Sequence, residues 1–336
     1  MADQAHADDE NGSIEIIATR LAELLTGAGG GLHDPGRSDL IFEGSLSIRP
    51  LDRAGTAAPS DVWAVDGGQG LVADARCLQV YVTRSSTVRW DPATARTIVE
   101  DEGQLAAHLL GLGEERRALA ALGSPVSPDA AVDVNLLRDW GEWSAAARCV
   151  SQCQPGGLVL IDGDLQPDWR IPSWWLADLF AQATDRRVTL VGVTKHTSLS
   201  WGGSPLLAVL ERLAESRFGP RDCWWAPVAR TRPDVDAGLQ AVVARLDPDA
   251  RFSFRVDMPG DADPENVLSQ LSTLCDDAAF PGYPYPLTVA DRLAACPGWV
   301  RDEVWLRIDQ VFDQAGVAPD IRDRAFADRH RLMERS

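Results

Sequence analysis

Lysine is almost missing from this chain. Lys195 is the one lysine among 32 basic residues, so arginine carries nearly all of the positive charge. Acidic residues number 50 and set a formal net charge of −18. That balance works against nucleic acid as a ligand, because affinity for a phosphate backbone rests on Lys and Arg. An acidic surface otherwise serves solubility. No apolar run approaches the roughly 20 residues that span a bilayer. The longest, 158–161 and 188–193, have the length of buried strands. Six cysteines contain no C-x-x-C pair, and five histidines form no cluster with them, which argues against zinc. Cys149 and Cys153, four apart in a helical pattern, read as free thiols on an apolar face. Any metal here would be held by oxygen, which favours magnesium or manganese. The opening MADQAHADDENG is acidic and polar, the reverse of a signal peptide, and is expected to be a disordered tail over 1–12 of a cytoplasmic protein.

At 336 residues and 45% hydrophobic, the chain can bury one large core, with or without an appended lobe. Residues 13–26 place apolar side chains at helical spacing, with Ser13 as N-cap. A short strand at 62–65 leads into Asp66-Gly67-Gly68, and 77–88 and 97–100 continue as a meander. The pattern turns helical over 104–122 and 132–153. GLVLID (157–162) is a buried strand, followed by a helix (173–183), a second buried strand (187–194) and a helix (205–215). Strands are expected at 224–229 and 252–258, helices at 263–276 and 287–314, and a charged helix at the end. A meander followed by βαβ alternation gives an α/β protein with a mixed sheet flanked by helices, the order of an RNase H-like fold.

Asp66 and Asp162 share one local design, an apolar strand ending in Asp-Gly (AVDGG and LIDGD). Where a buried strand ends, a crevice opens, and glycine lets the backbone turn and a ligand approach. Two such carboxylates could share divalent cations for phosphodiester cleavage, in which paired metals activate water and steady the leaving oxygen. The plainer alternative is a turn at each. Asp164 fits a supporting acid or a capping or turn role. Glu142, in LLRDWGEWSAAARC, lies four residues after Arg138, and the residues alone favour a surface ion pair. Lys195, in VGVTKHTS, is a compact cation suited to a phosphate oxygen, or a lysine kept by chance. Trp169, Trp174, Trp175 and Trp201 are candidates for stacking on unpaired bases, against a core role that suits most tryptophans. Arg84, Arg89 and Arg170 are candidates to line a groove for DNA.

Taken together, AVDGGQG around Asp66, LLRDWGEWSAA around Glu142, LVLIDGDL around Asp162, LVGVTKHTS around Lys195 and GYPYPLTVADRLA around Tyr283 resemble the NurA nuclease family. The motifs span 63–294, in order. The resemblance implies a single NurA-like nuclease domain over 13–336, with helical extensions at both ends, cutting DNA with manganese (or magnesium) in DNA end processing. It further implies a homodimer and a hexameric HerA-type ATPase that feeds DNA to the nuclease. By that carry-over Asp66, Glu142 and Asp162 are metal ligands, and Lys195 and Tyr283 belong to the active site. Where the family has a histidine eight residues after the tyrosine, this chain has Asp291, an oxygen ligand that would complete the metal shell with altered preference.

Two alternatives stand beside it. A catalytically weakened NurA-like subunit that regulates an ATPase ring is suggested by Asp291 and the charge of −18. A haloacid-dehalogenase-type phosphatase is suggested by Asp162-Gly-Asp164, Lys195 and Asp276-Asp277, but leaves AVDGG without a role.

Overall fold

The computed structural model describes residues 14–25, 30–34, 39–53, 57–232 and 238–327; the 1–12 tail and the Ser13 cap lie outside them. By contacts the chain divides into two compact units. One comprises Met1–Ala57 and Gly192–Pro284, the other Ala58–Val191 and Tyr285–Ser336. No helix among the described residues is long and apolar enough to cross a membrane.

In the second unit the sheet order is residues 189–191, Leu158–Asp162, Val62–Asp74, Gln79–Asp91 and Arg96–Asp101, with Ala106–Leu110 also on the Gln79–Asp91 strand. Val62–Asp74 and Leu158–Asp162 run parallel, Val62 opposite Leu158 through Val65 opposite Ile161. The next pair in that register is Asp66 and Asp162. The parallel-paired segments, Val62–Val65 and Leu158–Ile161, are fully buried apolar runs, as parallel strands covered on two faces require.

The strand at Val62 does not stop at Asp66. It is 13 residues long and ends only at Asp74, so the turn expected at Gly67-Gly68 is absent. The glycines answer a packing demand instead. A Cβ at Gly67 would lie 2.8 Å from Glu142 Oε2, and one at Gly68 would overlap the Ala294 carbonyl. Successive residues of a strand face opposite ways. The Val134–Gln152 helix therefore covers one face at Gly67, and the Tyr285–Ala294 helix the other at Gly68.

Two further expectations in this unit fail locally. Residues 106–110, expected within a helix, are a strand whose His108 pairs with Tyr81, and the helix begins only at Glu115. AAHLL reads as either period, and pairing along the exposed Gln79–Asp91 edge decides it. The expected helix over 287–314 is two, Tyr285–Ala294 and Gly298–Gln314, parted before Pro297, which cannot donate to a preceding turn.

The first unit holds antiparallel strands Leu40–Phe42, Trp224–Thr231, Leu239–Arg245 and Phe254–Pro259, with residues 192–194 pairing along the last. Leu239–Arg245 was not expected from the sequence. The Leu206–Glu215 helix packs Leu206, Leu210 and Ala214 against Trp224, Ala226 and Val243 of this sheet.

Candidate metal centre

Asp66 and Asp162 stand side by side because the parallel register makes them neighbours, 96 positions apart like Val62 and Leu158. Asp66 pairs with Ser86, whose hydroxyl donates to the Ala290 carbonyl at 2.7 Å, so both point to the face covered by Tyr285–Ala294. That helix carries Asp291. One carboxylate oxygen from each of Asp66, Asp162 and Asp291 lies within 4.8 Å of the others; the first two are half-buried and the third is exposed. The Gly67 amide donates to Asp66 Oδ1 at 2.7 Å and fixes its rotation.

Glu142 approaches from the opposite face, across the space that Gly67 leaves open. It is 4% exposed, and its Oε1 is buried with no hydrogen-bond partner. Burial pushes its carboxyl well above the usual range. Asp66, Asp139 and Asp162 push the same way, and the Arg138 guanidinium opposes them. The surface ion pair with Arg138 is thus not what forms. Arg138 Nε is itself buried without a partner, and Glu142 lies under the sheet rather than on a solvated helix face.

Four carboxylates in this arrangement present only oxygen donors, as a hard divalent cation such as Mn2+ or Mg2+ requires. Asp66, Asp162 and Asp291 converge closely enough to share such an ion. The buried Glu142 Oε1, which has no hydrogen-bond partner, adds an oxygen donor from the other face of the strand, so the residues present fit a hard divalent cation.

Lys195 and Tyr283 belong to the first unit. There the Lys195 ammonium lies 5.0 Å from the Tyr283 ring centroid, and Tyr283 is 1% exposed beside Phe254 and Phe280. Asp276 and Asp277 also fall in that unit, past the end of a helix that stops at Ser272.

The three arginines named as groove candidates all have acidic partners within their own unit. Arg84 donates to Glu102 and to the Leu293 carbonyl, and Arg89 pairs with Asp61 at 2.9 Å. Arg170 is clasped by Asp133 and Asp168. Each is committed to a carboxylate of its own unit. Sequence reasoning also missed Asp133, Asp139 and Asp168. Asp133 caps the Val134–Gln152 helix through the Leu136 amide, and Asp139 accepts the Asp168 amide at 2.5 Å. An Asp three residues before Leu136 is a readable cap; the other two carry no local signal. Of the tryptophans, Trp175 packs edge-on against Trp140, Trp201 joins the first unit's core, and Trp224 and Trp225 are buried. Trp169 and Trp174 are exposed, at 86% and 55%. Cys149 and Cys153 are buried free thiols.

No protein-family model matches the sequence, and no curated protein matches it. Solved structures do. The NurA nuclease from Sulfolobus solfataricus is 16% identical with a TM-score of 0.54, and the match covers 91% of this chain and 95% of that one. A second NurA structure is 8% identical, with a TM-score of 0.45 over 72% of this chain and 86% of that one. The catalytic domain of human endonuclease V is 13% identical, with a TM-score of 0.39 over 91% and 98%. The fold assignment rests on the first: this chain has the RNase H-like fold of the NurA nuclease.

Proposed function

We propose that this chain is a NurA-type nuclease that hydrolyses DNA phosphodiester bonds at Asp66, Glu142, Asp162 and Asp291 with a divalent cation, Mn2+ or Mg2+. The observation that carries the proposal is the convergence of three carboxylates from two strands and a helix within 4.8 Å, backed by the buried Glu142. Asp66 and Asp162 on the sheet and Asp291 on the covering helix would hold the cation, with Glu142 as a further carboxylate ligand. The cation supplies charge to activate water and to stabilise the leaving oxygen. The Gly67 amide, by donating to Oδ1, fixes the orientation of the Asp66 carboxylate. Lys195 and Tyr283 enter the proposal on the resemblance alone, Lys195 as stabiliser of developing negative charge and Tyr283 as a positioning group. The resemblance also extends the proposal to a homodimer, a HerA-type hexameric ATPase partner and a role in DNA end processing. A partner that delivers the strand would let an acidic nuclease work with weak DNA affinity of its own.

The test is cleavage of labelled linear DNA with Mn2+. Cutting is expected from the wild type, with EDTA abolishing it and Asp66→Ala or Asp162→Ala lowering it by about a hundredfold or more. Full activity of either variant removes the proposal. Mn2+ binding by calorimetry without any cutting points instead to the weakened regulatory subunit, which the aspartate at 291 would then explain.

A further inference from the structure

The loop that follows Asp162 is held unusually firmly for one that displays a bare tryptophan. Arg170 grips Asp168 through Nε at 2.7 Å and Nη2 at 2.5 Å. The same guanidinium reaches both Asp133 oxygens at 3.1 Å and the Ala131 carbonyl at 2.6 Å. The Asp168 amide is tied to Asp139, one helical turn before Glu142. Both chain neighbours of Trp169 are thereby fixed, while its indole is 86% exposed with the Arg170 guanidinium 5.8 Å from the ring. Trp174, five residues on, is 55% exposed in the first turn of the Ser173–Arg186 helix. A backbone fixed in this way while the ring stays in water presents Trp169 as a rigid apolar contact surface that needs little further ordering to bind.

We infer that Trp169 and Trp174 form a stacking platform for unpaired nucleobases, so that single-stranded nucleic acid is the form this surface takes. The inference rests on the nuclease reading for the kind of partner, and on two observations for the choice. The first is proximity: the loop leaves the strand that ends in Asp162 and is anchored one turn from Glu142. The second is charge. Asp133 and Asp139 anchor the loop, Asp164 and Asp168 lie within it, Arg170 is consumed by Asp133 and Asp168, and the whole chain carries −18. Phosphates gain little here, so affinity has to come from base faces, which stack on aromatic rings whatever their sequence. A duplex hides those faces between its own pairs. A single strand offers them.

The experiment is fluorescence anisotropy of fluorescein-labelled oligo-dT and of a labelled duplex of equal length, at low salt with EDTA so that no cutting occurs. Trp169→Ala is expected to bind oligo-dT about tenfold more weakly and Trp174→Ala about fivefold more weakly. Trp169→Phe should stay within about threefold of wild type, duplex binding should not change, and Trp299→Ala, an exposed tryptophan elsewhere in the unit at 67%, should match wild type. Four results overturn the platform: a wild type that does not bind oligo-dT, Trp169→Ala binding as tightly as wild type, equal losses for strand and duplex, or Trp299→Ala weakening binding as much as Trp169→Ala. Failure of the nuclease reading shows separately, as wild-type protein that does not cut with Mn2+.

Discussion

The Val134–Gln152 helix carries acids at two levels that meet opposite fates. At its start, Asp133 has everything a carboxylate needs: the Leu136 amide and the Arg170 guanidinium, which is shared with Asp168. The Arg170 hydrogen bond holds Asp168 below the ordinary range. At Asp133 partial burial pushes upward, and the Arg170 guanidinium and the Leu136 amide together more than offset it, so that carboxyl also lies below the ordinary range. Two and a half turns on, Glu142 is buried beside other acids with an oxygen that nothing satisfies. The first level is a closed electrostatic account and braces a loop. The second is incomplete as protein alone, which suits the cation ligand proposed for it.

Substitutions can break that contrast. Glu142→Gln should have the largest effect, lowering Mn2+-dependent cleavage by about a hundredfold or more while making the metal-free protein more resistant to urea by roughly 1–2 kcal/mol at pH 8. Equal or lower stability of the glutamine variant would mean that Glu142 is structural. Arg170→Met should do the reverse. It strands Asp133 and Asp168 and should cost about 2–3 kcal/mol by urea titration, with far less loss of cleavage than Glu142→Gln; a stability change under about 0.5 kcal/mol would show the brace to be idle.

Asp139 sits between the two levels and gives the smallest, pH-dependent effect. Burial raises its carboxyl from 3.8 to about 6, against the opposing hydrogen bond from the Asp168 amide. The folded state therefore holds this proton better than the unfolded chain does. That contribution is full below about pH 4 and is lost as pH rises through 6. Asp139→Asn keeps an oxygen for the amide but no charge. In EDTA it should gain about 2 kcal/mol on wild type between pH 4.5 and pH 7.5. An offset that does not vary with pH would contradict the shift.

Much of this was readable in the sequence, and the failures have physical causes. GLVLID announces a buried strand by composition, and its pairing with the strand at Val62 gives Asp66 and Asp162 their adjacency. The glycines after Asp66 misled because glycine serves both turns and close approach, and only the helices lying over Gly67 and Gly68 show which. Glu142 reads as a surface acid while its helix is viewed alone; what buries it is a strand some 75 residues earlier (142 − 67). The Arg170 clasp was invisible for the same reason, since Asp133 and Asp168 are 35 positions apart (168 − 133). Leu239–Arg245 went unrecognised because LQAVVAR suits a helix as well as the middle of a sheet.

Gly68 sets a tolerance for the whole centre. Because the Ala294 carbonyl rests on main chain there, no deformable side chain lies between the strand of Asp66 and the helix of Asp291. The gap between those two acids is thus gauged by backbone against backbone, and core substitutions elsewhere can relax without widening it. A single methyl group at position 68 would act as a shim, lifting the helix and drawing Asp291 away from its partners.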